Sequence, residues 1–399
     1  MLLDSTQYWI WLRKAFGPQS RLACNLVRTF GSPQEVHRAG RDAWLESGIL
    51  NAEQCRQLAQ LQPSELCEHM LAILPPDMQL LTPDDPLYPA LLPELPDYPL
   101  LLFARGQTEV LARHVLVAIV GTRTATAGGR RAAQQFGRAL AAAGAVVVSG
   151  GALGIDTAAH EGALAADGET VLVMGCGLDH PYLRENDAMR TQIAQGGVLL
   201  SEYAPNAAPS RKTFPMRNRI IAGMCQCTVV VEAAAHSGSL ITAGYASKGM
   251  RSVFVVPSSV TGSYMRGAEA LLGSHGVFEA TTPEDVLRIL RSALPAQPVR
   301  RVTPATGTQA SLFTPAPAAK PTPAAKPASA PEPSPAPRPA WLEGDVLRIF
   351  ELLQKKERLS PDEIVQATGL PVGTVLAAIS RLEMSGMAEH QFGSIQICS

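Results

Sequence analysis

The strongest constraint on this chain is a rhythm of short apolar runs at 115–120, 145–149, 171–174, 198–201, 228–231 and 253–256, with helical periodicity between them. Strands buried on both faces read as continuous apolar runs, and parallel strands need a crossover helix between them. The pattern predicts helices near 128–143, 156–166, 186–195, 216–225, 239–248 and 283–294. Together these make an α/β fold, a Rossmann-like doubly wound parallel sheet. Ligands of such sheets bind at the carboxyl ends of the strands, near the point where strand order reverses. The loops that follow the strands are therefore where function is sought first.

The flanks divide the chain further. Residues 1–75 place apolar side chains at helical spacing (Tyr8, Trp9, Leu12; Leu22, Leu26, Val27), punctuated by Gly17, Gly31 and Gly48. This predicts a small N-terminal helical domain of SAM-like or helix-hairpin-helix character. The proline-rich stretch 75–106 ends in P-L-L-L-F-A-R-G and reads as an extended connector with one strand, entering a Rossmann-like domain that spans 76–294. Residues 295–340 are mostly Pro, Ala, Ser and Thr, which predicts a disordered, partly polyproline-like tether. Residues 341–399 regain apolar periodicity over three helices and a β-hairpin, the pattern of a C-terminal winged helix-turn-helix domain. Its third helix offers mainly Thr374, Ser380 and Arg381, so protein contact or regulation is expected there rather than base reading.

A chain of 399 residues, 46% of them hydrophobic, buries a sizeable core and divides into several domains. Its formal net charge of -1 gives no global positive field, so any anion site must be a local concentration of Arg and Lys. Seven scattered cysteines, an odd number with no C-x-x-C pair, favour neither a zinc site nor a disulfide framework and fit a reducing cytoplasm. The start M-L-L-D-S-T has no basic region ahead of an apolar one, and no apolar run is long enough for a bilayer. Neither export, a membrane, a metal nor a cofactor is expected.

Three loops carry candidate chemistry. Gly121, Thr122 and Arg123 follow the first strand, where glycine lets the backbone approach an anion and arginine can fork onto a phosphate. Ser149, Gly150 and Gly151 follow the second, opening S-G-G-A-L-G-I-D ahead of a helix whose free N–H groups favour anions. No G-x-G-x-x-G follows the first strand and no Walker A lysine is present, which counts against dinucleotides and nucleoside triphosphates. Asp156 and His160 lie four apart beside Glu161. They allow a metal or acid–base pair, or more ordinarily a capping aspartate and a packed histidine. The third loop holds Arg211, Lys212 and Phe214, followed by Arg217, Asn218 and Arg219 in F-P-M-R-N-R-I-I-A-G. Planar cations, an amide and a ring face suit a nucleic-acid strand with a base stacked on the aromatic.

Taken in order, V-A-I-V-G-T-R at 117–123, S-G-G-A-L-G-I-D-T-A-A-H at 149–160, V-M-G-C-G-L-D at 173–179, L-L-S-E at 199–202, F-P-M-R-N-R-I-I-A-G at 214–223 and S-G-S-L-I-T-A at 237–243 resemble the DprA/Smf family. Y-P-A-L-L at 88–92 and P-L-L-L-F-A-R-G at 99–106 join them. The resemblance implies a non-enzymatic protein that binds single-stranded DNA and helps load RecA in natural transformation. It implies that Arg123 contacts backbone phosphate and that Arg211, Lys212 and Phe214 complete the groove, with Arg217 and Arg219 serving the pocket wall as much as the ligand. It also implies a homodimer through the Rossmann-like domains. The chain departs from the family after Val256-Pro257, where Ser258-Ser259 stand in place of a glycine, and at 262–272, which reads G-S-Y-M-R-G-A-E-A-L-L. Dimer and RecA contacts are expected toward this end.

Two other classes compete. Rossmann-like nucleotide phosphoribohydrolases share a related sheet and are similar to one another in P-G-G-x-G-T-x-x-E, but the matching place here reads A-H-S-G-S-L-I-T-A without the glutamate. A transcription regulator acting through the wing would prefer duplex to single strand.

Overall fold

The computed structural model describes residues 5–294 apart from 114 and 236, and 344–397 apart from 356–358, 385–387 and 392–393. The expected tether at 295–340 lies outside the described residues. Two compact units result, one on each side of that segment.

The first unit opens with α1 (Thr6–Phe16), α2 (Arg21–Phe30), α3 (Pro33–Glu46), α4 (Ala52–Ala59) and α5 (Pro63–Ile73). Ser20, Ser32 and Asn51 start α2, α3 and α4 by accepting a backbone N–H three residues on. Next come β1 (Met78–Leu81), β2 (Leu102–Gly106), β3 (Leu116–Val120), α6 (Ala127–Ala142), β4 (Val146–Ser149), α7 (Ile155–Leu164), β5 (Thr170–Met174), α8 (Asp187–Gly196) and β6 (Val198–Ser201). The unit closes with α9 (Thr213–Gly223), β7 (Cys227–Val230), α10 (Gly238–Lys248), β8 (Ser252–Val255), α11 (Ser258–Thr261), α12 (Arg266–Glu269), β9 (Val277–Glu279) and α13 (Pro283–Leu290).

These strands form one sheet in the order β1-β2-β6-β5-β4-β3-β7-β8-β9. From β6 to β9 the pairing is parallel, as the apolar runs require. β1 and β2 add an antiparallel edge beside β6. Two strands escape the sequence pattern because of where they lie. β1 lies in the proline-rich connector, and β9 has only three residues, two of them exposed at the sheet edge. Strand order reverses between β3 and β7, which sets the crevice at their carboxyl ends.

Side chains alternate between the two faces of the sheet. Val117 and Ile119 of β3 pack with Ala132, Phe136 and Leu140 of α6 and Ala158 of α7. Leu116, Ala118 and Val120 belong to the opposite core, with Ile220 of α9, Ala243 of α10, and Trp9, Trp11 and Leu26 of the N-terminal helices. The helices before residue 75 thus share a continuous core with the sheet. Among the described residues, no helix is long and apolar enough to cross a membrane.

The second unit holds α14 (Gly344–Lys355), α15 (Pro361–Thr368), α16 (Val372–Met384) and the antiparallel pair β10 (Ala388–Gln391) and β11 (Ser394–Ile397). Leu359 bridges to Ile395, and both join a small core with Ile349, Ile364 and Leu382. The side chains of Ser380 and Arg381 lie outside the described residues.

Candidate nucleic-acid interface

The turns after β3 and β4 interlock. The Ile155 N–H donates to the Thr122 carbonyl at 3.2 Å, and the Thr122 N–H donates to the Glu232 carbonyl at 2.7 Å. Gly154 makes this close approach possible: it has φ +87°, and a Cβ there would lie 2.4 Å from the Thr122 oxygen. Arg123 emerges from the joined turns exposed to solvent.

The third element is α9. It begins at Thr213 rather than 216, so Phe214 and Pro215 lie in its first turn, where proline's missing N–H costs nothing. The Phe214 ring meets Tyr182 at 5.1 Å between centroids, and the Arg123 guanidinium lies 5.4 Å from its centre. Arg217, one helical turn on, is 4% exposed. It donates to the Gly150 carbonyl at 2.8 Å, to the Val173 carbonyl and to Asn218 Oδ1 at 3.2 Å. A Cβ on Gly150 would come within 2.4 Å of that guanidinium, so this glycine is the gap the arginine fills. Asn218 in turn donates to the Gly238 carbonyl at the start of α10, at 3.1 Å. Arg211 and Lys212 stand exposed just ahead of α9, where Ser210 Oγ accepts the Thr213 N–H at 3.2 Å and the first turn holds no acidic residue.

Several expected ligand contacts are instead internal. Arg219 is fully buried and pairs with Glu202 at 2.8 Å, with Asp97 3.6 Å away. The same glutamate accepts the Gln19 N–H at 3.1 Å, and Arg13 donates to its backbone oxygen at 3.2 Å. Arg219 therefore joins α9 to the N-terminal helices and faces no groove. Ser149 is buried too, donating to the Ile119 carbonyl at 2.6 Å, and Gly151 lies buried beside it. Arg217 supports the glycine turn from beneath. Burial lowers its pKa against the opposing pull of Asp156, and burial raises that of Asp156 against the opposing pull of Arg217.

Asp156, His160 and Glu161 form no acid–base pair. Asp156 accepts from the Gly150 and Ala152 N–H groups at 3.2 and 3.4 Å, while Glu161 is exposed and accepts from Gln134. The Thr170 hydroxyl donates to the Val147 carbonyl, so His160 Nδ1 donates to Thr170 Oγ1, at 2.8 Å. Burial pulls the His160 pKa down to about 3. The unfolded chain then binds a proton near pH 6.5 that the folded chain refuses, so stability present above 6.5 is lost as pH falls toward 3. We expect the unfolding free energy from urea titrations to fall between pH 6.5 and 4 at a rate approaching about 1.4 kcal/mol per pH unit from this group, and His160→Gln to flatten that slope.

The family model for DNA recombination-mediator protein A matches residues 79–291. The chain belongs to that family. A DprA winged helix domain model matches residues 315–394. Protein Smf of Synechocystis sp. is 36% identical over 328 residues, which cover 79% of each chain. DNA processing protein DprA of Bacillus subtilis is 37% identical over 207 residues, covering 50% of this chain and 70% of the relative. The X-ray structure of DprA from Streptococcus pneumoniae superposes with a TM-score of 0.61 at 32% identity, covering 72% of this chain and 98% of that one.

Two residues of this family member's site escaped sequence reasoning in different ways. Tyr182 carries no signal of its own in the loop after β5, because its partner Phe214 lies 32 positions on, across α8 and β6. Glu232 stands directly after an apolar strand, and its partners after β3 lie more than a hundred residues earlier. Residues 258–272 contain α11 and α12 and pack back on the crevice: Ser258 N–H donates to Glu269 Oε1 at 3.2 Å, and Ala268 N–H to the Ala233 carbonyl at 3.0 Å.

Proposed function

We propose that this protein binds single-stranded DNA without reading its sequence and acts as a recombination mediator, protecting an incoming strand and loading RecA in natural transformation. In this reading it works as a cytoplasmic homodimer through its Rossmann-like domain, and not as an enzyme. The observation that carries the reading is the pair of exposed cations, Arg211 and Lys212, at the start of α9, whose first turn holds no acidic residue. Cations oppose the positive end of a helix dipole, so this arrangement weakens the free helix and gains when an anion arrives. Phe214 follows at once, already capped by the Arg123 guanidinium, so phosphate contacts and a stacking face lie side by side. Thr122, Gly121 and Gly150 line the approach, with Arg217 and Asn218 holding the wall. Membership of a recombination-mediator family and relatives named DNA processing protein DprA support the same reading.

Fluorescence anisotropy of a labelled oligo-dT across a salt series tests it. We expect tighter binding than to a duplex of equal length, with a log–log slope of about 2 from three neutralised phosphates at about 0.7 each. A flat salt response, a preference for duplex, or release of free base from a nucleoside monophosphate would each sink the reading.

A further inference from the structure

Glu232 takes no part in the exposed surface, yet it holds both ends of the exposed turn that follows β3. Its side chain is 0% exposed and follows β7, at the reversal of strand order. One carboxylate oxygen accepts the Thr126 hydroxyl at 2.6 Å and the other the Thr126 N–H at 3.0 Å, while its backbone oxygen accepts the Thr122 N–H at 2.7 Å. Thr126 is the N-cap of α6, whose first turn contains no acidic residue. A Cβ on Gly129 would meet the Glu232 carboxylate at 2.3 Å, so the carboxylate lies against that first turn. In sheets that bind nucleotides, a phosphate occupies such a helix start, drawn by its free N–H groups and dipole. Here the chain supplies the anion itself.

Both ends of the 121–126 turn are thereby tied to one residue, Thr122 through the main chain and Thr126 through the carboxylate. Arg123 stands between the two anchors with its guanidinium on Phe214. We propose that Glu232 is the positioning residue of the DNA interface: an internal anion that fixes the turn so that Arg123 is presented to a strand phosphate. The proposal rests on the single-strand reading above. It also means that the α6 start is closed to the phosphate of a mononucleotide.

A double-mutant cycle tests it, with oligo-dT affinity and salt slope measured for wild type, Glu232→Gln, Arg123→Ala and the double variant. Glutamine keeps the volume but removes the charge and sets an amide where two acceptor oxygens stood. Acting through Arg123, Glu232→Gln should weaken binding about 10-fold and lower the salt slope by about 0.7. In the Arg123→Ala background the same change should cost less than about 2-fold, because coupled residues do not add. Should Glu232→Gln fail to fold by circular dichroism, Thr126→Val, which removes the hydroxyl donor, replaces it in the cycle. Equal losses in both backgrounds, or an unchanged slope, would overturn the positioning role while leaving single-strand binding intact. Wild type that ignores oligo-dT would overturn the function itself, a failure read from the first arm alone.

Discussion

Replacing Arg219 with alanine is expected to destabilise the unit formed by residues 5–294 by about 3–5 kcal/mol, read as a fall in urea midpoint. The magnitude follows from what the change strands. Glu202 is 0% exposed and Asp97 8%, so removing the guanidinium leaves two carboxylates buried without their counter-charge. Glu202 also holds the Gln19 N–H, and its backbone oxygen holds Arg13, so the damage reaches the joint between α9 and the N-terminal helices. Removing one carboxylate charge as well should undo part of the loss. The Arg219→Ala/Glu202→Gln double variant should therefore be less destabilised than the two single changes added together. Strict additivity would mean that the pair is not a unit.

This clasp shows where the sequence was legible and where it was not. The parallel strands β3 to β8 were readable to within a residue or two, because burial on both faces leaves no other composition possible for runs such as V-A-I-V. The R-N-R motif was readable as chemistry but not as direction. Two positions along an α-helix turn by about 200°, so Arg217 and Arg219 cannot line one groove. Phe214, Arg217 and Asn218, spaced i, i+3 and i+4, share a side, and Arg219 is left facing Glu202. Starting the helix at 216 hid that periodicity, since it left Phe214 in a loop. The charge partners were beyond reach for a different reason. Glu202 sits 17 residues before Arg219 and Gln19 another 183 before that, and only the completed sheet brings them together.

Glycines carried more information than the cations. Gly150 and Gly154 looked like an anion cradle, and the structure uses both for close approach between protein groups, the Arg217 guanidinium in one case and the Thr122 carbonyl in the other. A glycine-rich turn after a strand thus marks a tight junction first. Of the expected ligand side chains, those left exposed around that junction are Arg123, Arg211 and Lys212, with Phe214 partly so.

That reduced set makes the second large effect specific. The Arg123→Ala/Lys212→Ala variant should bind oligo-dT about 100-fold more weakly than wild type, taking two charge-assisted phosphate contacts at about 1.5 kcal/mol each. Its salt slope should drop by about 1.4, leaving the contribution of Arg211. Stability should barely move, because both side chains are exposed and neither carries a buried partner. Phe214→Ala should behave differently: about 1–3 kcal/mol of stacking is lost while the slope is kept, since a ring neutralises no phosphate. The contrast between a variant that changes slope and one that changes only affinity separates backbone tracking from base stacking on the same few ångströms of surface. Loss of slope on Phe214→Ala, or its survival in the double variant, would put the strand somewhere else on the molecule.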